Sequence, residues 1–336
     1  MAQPIFIVEG AMTAQAPPDA HGDDYILPFT TDKSRALGRL VRLGPLVDDV
    51  LQRHDYPSAV SQVLGQALAL TGMLGSTLKF DGNLIVQTQT DGALGFMVTN
   101  FEAPGKLRGY ASFDAERCAE VGEALPHHGK LLGAGHMALT IDPGGYMDRY
   151  QGIVGLANHD LSDAANSYFR QSEQLPTFVR LAMARRQVAD GGDRAWHWRA
   201  GGIMVQYVSP VGGRESDGGE DDGGNANWLV GERDEDWQRV SMLAATVEDH
   251  ELLDPTLSPE RLLYRLFHEE GVRASQPVAL QSFCRCSRER VATFISTFKG
   301  DDINGMLDDD GKIAITCEFC NNVYRFEPTA APLANQ

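Results

Sequence analysis

Four of the five cysteines fall in two close pairs, Cys284-Arg285-Cys286 and, after thirty intervening residues, Cys317-Glu318-Phe319-Cys320. Two such pairs brought together by a folded loop supply four soft ligands for one tetrahedral zinc ion. Zinc–sulfur bonds of about 2.3 Å set neighbouring sulfurs about 3.8 Å apart, whereas a disulfide needs about 2.05 Å. The site therefore holds thiols near bonding distance without joining them. Coordination keeps sulfur as thiolate, the form an oxidant attacks, and oxidation to a disulfide removes the charge that coordination needs. Spacing alone leaves open whether such a metal is a structural staple or a redox switch.

Arg285, Arg288 and Arg290 surround the first pair, where they are expected to balance part of the thiolate charge. Cys118 stands outside both pairs and reads as a small apolar residue. With four cysteines filling a tetrahedron, His127, His128, His250 and His268 are assigned surface, capping or packing roles. Asp48-Asp49 reads as helix surface and Asp308-Asp309-Asp310 as a polar turn. There is no Gly-x-Ser-x-Gly elbow, His-Glu-x-x-His, Rossmann glycine pattern or phosphate-binding loop, so no enzyme of those classes is expected.

The elements that must carry these residues follow from periodicity. Arg35 to Leu43 is extended, with Leu37, Val41 and Leu43 on one side, and Gly44-Pro45 opens a helix through Leu51 that ends before Pro57. A second helix carries Val60, Val63, Leu64, Ala67, Leu68, Leu74 and Leu78. Between Leu84 and Leu156 the period becomes two, in 84–89, 96–99, 136–141 and 150–156, with Asp81-Gly82, Asp91-Gly92 and Asp142-Pro143-Gly144-Gly145 as turns. Short connections of this kind suit antiparallel neighbours. A helix over about 161–171 and strands near 178–183 and 203–208 complete an α+β domain.

Residues 212–224, rich in glycine and acid, cannot bury enough apolar surface to order and are expected to form a flexible loop. Beyond them, Trp237, Val240, Leu243, Ala244 and Val247 recur at helical spacing, and Ser258-Pro259-Glu260 caps a helix bearing Leu262, Leu263, Leu266 and Phe267. Residues 231–270 hold eleven acids against four Lys or Arg, a balance of −7. Such a segment is either a solvated acidic face or a conditionally folded element. The residues alone divide the chain into a loose tail before Asp23, an α+β domain that ends near 212–224, acidic helices over 231–270 and a small cysteine-bearing module.

At 336 residues and 43% hydrophobic composition the chain can build a sizeable core. Its formal charge of −17 opposes a nucleic-acid footprint, and no apolar run is long enough to span a membrane. The first 22 residues lack Lys and Arg and the apolar core of a secretion signal, which points to a reducing cytoplasm where any disulfide is conditional.

The sequence resembles the 33 kDa redox-regulated heat-shock chaperonin family, heat shock protein 33. The likeness is carried by Phe283-Cys284-Arg285-Cys286-Ser287-Arg288-Glu289-Arg290 with Cys317-Glu318-Phe319-Cys320-Asn321-Asn322-Val323-Tyr324. His54-Asp55-Tyr56-Pro57, Leu78-Lys79-Phe80-Asp81-Gly82, Arg149-Tyr150-Gln151-Gly152, Ser172-Glu173-Gln174-Leu175-Pro176 and Tyr264-Arg265-Leu266-Phe267-His268-Glu269-Glu270 add to it. It runs from about Asp24 to Glu327, and implies a loose tail over 1–23, an α+β core over 24–230, a helical, stress-labile linker over 231–283, a small zinc-binding module over 284–327 and a tail over 328–336.

The resemblance implies an ATP-independent holdase chaperone of the oxidative stress response. One zinc per chain would sit on Cys284, Cys286, Cys317 and Cys320 in the reduced, inactive form. Oxidation with unfolding stress would pair Cys284 with Cys286 and Cys317 with Cys320, release zinc, and unfold the module and linker. The active form would be a homodimer binding unfolding client proteins. From another class stands a zinc-containing thiol-disulfide oxidoreductase using Cys317 and Cys320, which predicts turnover of disulfide substrates. A zinc-dependent nucleic-acid module is disfavoured by charge.

Overall fold

The computed structural model describes residues 22–121, 129–145, 147–157, 159–190, 193–208, 231–298, 305–308 and 310–328. Strands β1 (Tyr25–Thr31) and β2 (Leu37–Leu43) form an antiparallel hairpin that leads into helix α1 (Pro45–Gln52). Pro45 starts that helix, and its unpaired first-turn donors are met from a distance. Asp24 accepts the N–H groups of Gly44 and Leu46 at 2.8 and 2.9 Å.

Helix α2 (Ser58–Gly75) is the centre of the molecule, buried at every position from Ala59 to Gly75 except Gln62 and Gln66. A helix apolar nearly all round must be covered on every side. One side meets β3 (Asn83–Thr90), β4 (Phe96–Glu102) and β5 (Lys106–Ser112) through Val86, Met97, Phe101 and Leu107. The other meets β2 and a long hairpin, β8 (Thr177–Asp190) with β9 (Asp193–Gln206), through Val41, Leu181 and Met204. Glycines make this approach possible: a Cβ on Gly75 would lie 2.2 Å from the Phe101 ring.

Helices α3 (Ala115–Val121) and α4 (Gly129–Leu132) precede β6 (Gly135–Asp142) and β7 (Tyr150–Gly155), which extend the sheet of β3–β5. The next helix, α5 (Leu161–Tyr168), starts at Asp160, whose carboxylate accepts Asp163 N–H at 2.9 Å. It changes at Phe169–Glu173 to a π turn that ends on left-handed Gln174.

Helices α6 (Glu235–Ala245), α7 (Asp249–Leu253) and α8 (Pro259–Phe267) lie on the outer face of the first sheet. Their Trp237, Val240, Leu263 and Phe267 pack with Leu27, Phe29, Leu40 and Ile203, and Phe29 stacks on Phe267 at 5.4 Å. Short strands follow: β10 (Val272–Ala274) and β11 (Val278–Ala279) pair with β1, and β12 (Gln281–Ser282) pairs parallel with β5. Sheet order is β10-β1-β2-β9-β8 in one layer and β12-β5-β4-β3-β6-β7 in the other. Last come α9 (Arg288–Ile295) and the hairpin β13 (Ile313–Thr316) with β14 (Val323–Phe326).

The class is α+β with mainly antiparallel sheets, as expected. Several local expectations change. Asp48 is not helix surface: it is 7% exposed, accepts Trp198 N–H at 3.0 Å and lies 2.7 Å from His197 Nδ1, so it fastens α1 to β9. The two strands expected near 178–183 and 203–208 are both fourteen residues long. The helix expected to reach 171 stops at Tyr168 because the π turn takes over. β2 buries Leu40 as well as Val41 and Leu43, since it is covered on both faces. Asp23, assigned to the tail, forms an ion pair with Arg199. Residues 1–21 and 212–224, His127 and His128 lie outside the described residues.

Candidate metal centre

The four paired cysteines converge: one sulfur from each of Cys284, Cys286, Cys317 and Cys320 lies within 4.8 Å of every other. Neighbouring sulfurs stand 3.2 Å (Cys284 to Cys286), 3.6 Å (Cys284 to Cys317) and 3.3 Å (Cys286 to Cys320) apart. These separations exceed a disulfide and approach the edge of a zinc–sulfur tetrahedron, about 3.8 Å. Four soft donors at this spacing can hold a metal ion.

Local backbone explains the convergence. Ser287 caps α9 through Arg290 N–H at 3.2 Å, which fixes the exit of the first pair. In the second, Asn321 adopts φ +58°, its N–H donates to Cys317 O at 2.8 Å, and Cys317 N–H donates to Asn322 O at 2.9 Å. This turn between β13 and β14 directs both sulfurs to one side. The surrounding segment has a small core of its own, with only Ile295, Ile313 and Phe326 buried together among the described residues.

The thiols are not equivalent. Burial pushes the Cys284 and Cys320 thiols up. Burial also acts on Cys286, but hydrogen bonds from the Tyr324 hydroxyl at 3.1 Å and from neighbouring thiols outweigh it and bring this thiol down to about 7. Cys118 is buried on α3 outside the group of four, and burial pushes its thiol up.

The three arginines flanking the first pair are engaged elsewhere. Arg285 reaches to β4 and β3, pairing with Glu102 at 2.7 Å and bonding Asn83. Arg288 lies 4.5 Å from the centre of the Phe326 ring and Arg290 donates to Arg285 O at 2.8 Å. Two basic groups of β5 meet the cysteine segment from the core: Lys106, 6.0 Å from the ring centre of Phe283, and Arg108, which no motif singled out. Its guanidinium lies 4.0 Å from the ring centre of Phe319 and 5.5 Å from that of Phe283. No sequence motif marks a lone arginine on a strand 175 positions upstream of Phe283, and only the packing reveals it.

His250 pairs with Glu248 at 3.1 Å, and His268 Nδ1 lies 3.1 Å from Tyr264 O, both away from the cysteine group. Asp308 accepts Lys312 N–H at 2.9 Å and Asp310 N–H at 3.1 Å, as expected of a polar turn.

The sequence model of the family described as "Hsp33 protein" matches residues 24–327. A 33 kDa chaperonin of Caulobacter vibrioides is 41% identical over 95% of this chain and 100% of its own. One from Shewanella woodyi is 36% identical over 90% of this chain and 93% of its own. Among solved structures, the 33 kDa chaperonin of Thermotoga maritima superposes with a TM-score of 0.68 at 18% identity, covering 92% of this chain and 96% of that one. That last likeness concerns the fold.

Proposed function

The chain belongs to the Hsp33 family, and from that premise we propose that it is a redox-regulated, ATP-independent holdase, locked while reduced and opened by oxidation. The observation that carries this reading is the convergence of four thiols within 4.8 Å in a segment where, among the described residues, only Ile295, Ile313 and Phe326 are buried together. A segment with so little apolar burial depends on its cross-link, so chemistry at sulfur decides whether it is folded.

Cys284, Cys286, Cys317 and Cys320 would hold one zinc per chain, which when bound keeps the sulfurs as thiolates and ties the two loops together. Oxidation proceeds on the chain's own atoms. A thiolate attacks peroxide, the O–O bond breaks, and a sulfenic acid forms with release of water after protonation. A second thiol then displaces a second water, so two thiols lose two electrons and two protons and one peroxide becomes two waters. We assign the disulfides Cys284–Cys286 and Cys317–Cys320 on the family likeness. The 3.2 Å contact within the first pair allows it, although contacts across pairs are of similar length.

The organisation follows: a core over 24–230, a stress-labile linker over 231–283 and a switch module over 284–327. The chain runs from α8 through β10 and β11, paired with β1, and β12, paired with β5, into the module, so loss of the module would free the end of this anchor. Detachment of α6–α8 would then expose Trp237, Leu263 and Phe267 together with Leu27, Phe29 and Ile203 for unfolding clients. We place the protein in the cytoplasm, active as a homodimer. Among the described residues no helix is long and apolar enough to cross a membrane.

The test is zinc release measured alongside light scattering of a thermally unfolding client. Reduced protein should carry one zinc per chain, and peroxide with mild heat should release it as aggregation is suppressed. Oxidised protein with no gain in suppression would sink the reading.

A further inference from the structure

The switch module and the end of the linker that leads into it cover part of β5. Gln281 N–H donates at 2.9 Å to the carbonyl of Gly105, the residue before β5, and Phe283 N–H donates to Leu107 O on β5 at 3.0 Å. Two residues of β12 thus pair with the outer edge of a seven-residue strand. Further along, Ala111 N–H meets the Tyr56 hydroxyl at 3.2 Å, so alternation places the polar backbone groups of Gly109 on the same edge. Beyond β12 no other strand flanks this side of β5 among the described residues, and an edge without a strand neighbour accepts an extended chain.

Beside the edge runs a row of aromatic rings. Phe113 meets Tyr56 at 5.9 Å, Tyr56 meets His54 at 4.9 Å, and His54 meets Tyr110 at 5.8 Å. The module adds the final ring, Phe319, 6.3 Å from Tyr110 and under Arg108. An open cleft of about 310 Å³, lined by His54, Tyr56, Tyr110 and Phe113, continues the row where the module stops. One half of a single surface is therefore filled by the chain's own strand and two phenylalanines, and the other half is open.

We infer that the β5 edge with Arg108, Tyr110 and the adjoining cleft is a client-contact surface, taking an extended, aromatic-bearing segment of an unfolding protein, which β12, Phe283 and Phe319 occupy in the closed state. The occupant is set by what already fits there: backbone donors spaced as in a strand, and phenyl rings against a guanidinium. This surface is separate from the sheet face beneath α6–α8, and the inference rests on the holdase reading.

The test uses the full chain with p-benzoylphenylalanine placed at exposed Ser112 or, as reference, at exposed Gln151 on β7. Each is irradiated with thermally unfolding malate dehydrogenase, in reduced metal-loaded and in oxidised protein. Position 112 should crosslink the client about fivefold more than position 151 after oxidation, with both at background before it. Arg108→Ala should open the module at a lower oxidant dose yet reduce crosslinking at 112 in fully oxidised protein about fivefold, an opposition that a purely docking role for Arg108 does not give. Oxidised protein that suppresses aggregation but crosslinks equally at 112 and 151, or an Arg108→Ala protein with undiminished capture, overturns the inference while leaving the holdase reading intact. Absence of suppression by oxidised wild type overturns both.

Discussion

Arg239 of α6 donates through Nε to the Glu270 carboxylate at 2.7 Å, and Glu270 is only 2% exposed at the end of the turn that follows α8. This pair closes the helical linker on itself across thirty-one positions. Removing the arginine leaves a buried carboxylate without its main partner, which costs more than the pair contributes. Arg239→Ala should lower the temperature at which 231–270 becomes protease-sensitive in reduced, metal-loaded protein by about 5 °C, with zinc retained. The hydrogen bond from Arg239 holds the Glu270 carboxyl below its ordinary value of 4.5. A lowered carboxyl adds stability above its unfolded value and loses it as pH falls through the folded one. The difference between wild type and variant should therefore be constant from pH 5 to pH 8 and shrink below about 4.5. A difference that grows on acidification would contradict the assignment.

Cys317→Ser removes one of four donors from a segment whose buried core is Ile295, Ile313 and Phe326. Three ligands cannot replace four there, so zinc per chain should fall well below one and residues 284–327 should become protease-sensitive. The core built on α2 keeps its own packing, so its thermal transition should stay within about 2 °C of wild type. A variant that retains zinc and a protected C-terminal segment would show that the metal does not hold the fold.

Cys118 offers an internal control for the redox assignment. It is 5% exposed, and burial, with the Asp114 charge adding to it, pushes its thiol up, so less thiolate exists at a given pH. Brief iodoacetamide treatment of native, metal-free protein at pH 8 should label Cys286, whose thiol is brought down to about 7, and leave Cys118 more than about tenfold slower by mass spectrometry. Cys118→Ala should oxidise and suppress aggregation as wild type does.

The cysteine group was readable from sequence because metal chemistry demands residue types at fixed spacing, and the four sulfurs do converge. The linker helices were readable for a similar reason: Trp237, Val240, Leu262 and Leu266 keep helical period, and all are buried on one sheet face. What stayed hidden depends on distant partners. β1 was missed because Pro28 and the run of Thr30 and Thr31 mask its alternation, although β2 and β10 flank it. β5 was missed because glycine and charged residues interrupt it, yet Arg108 and Tyr110 there meet Phe319. Asp48 looked like solvent-facing charge because its partners, His197 and the Trp198 backbone, lie about 150 positions away.

Glu173 shows how such a distant relationship can be ranked by experiment. Its carboxylate is 9% exposed and accepts the Tyr168 hydroxyl at 2.7 Å and the Tyr150 hydroxyl at 3.1 Å, joining α5 and its π turn to β7. Tyr168 is fully buried, so Tyr168→Phe leaves its share of the carboxylate with no water to replace the phenol, at a cost of about 2 kcal/mol. Tyr150 is half-buried and its bond longer, so Tyr150→Phe should cost less than about 1 kcal/mol. Urea unfolding of the reduced protein should show that order, and the double variant should exceed the sum because the carboxylate then has neither donor. The reverse order would mean that Glu173 draws its stability from β7 rather than from the π turn, and that the turn is held by its backbone alone.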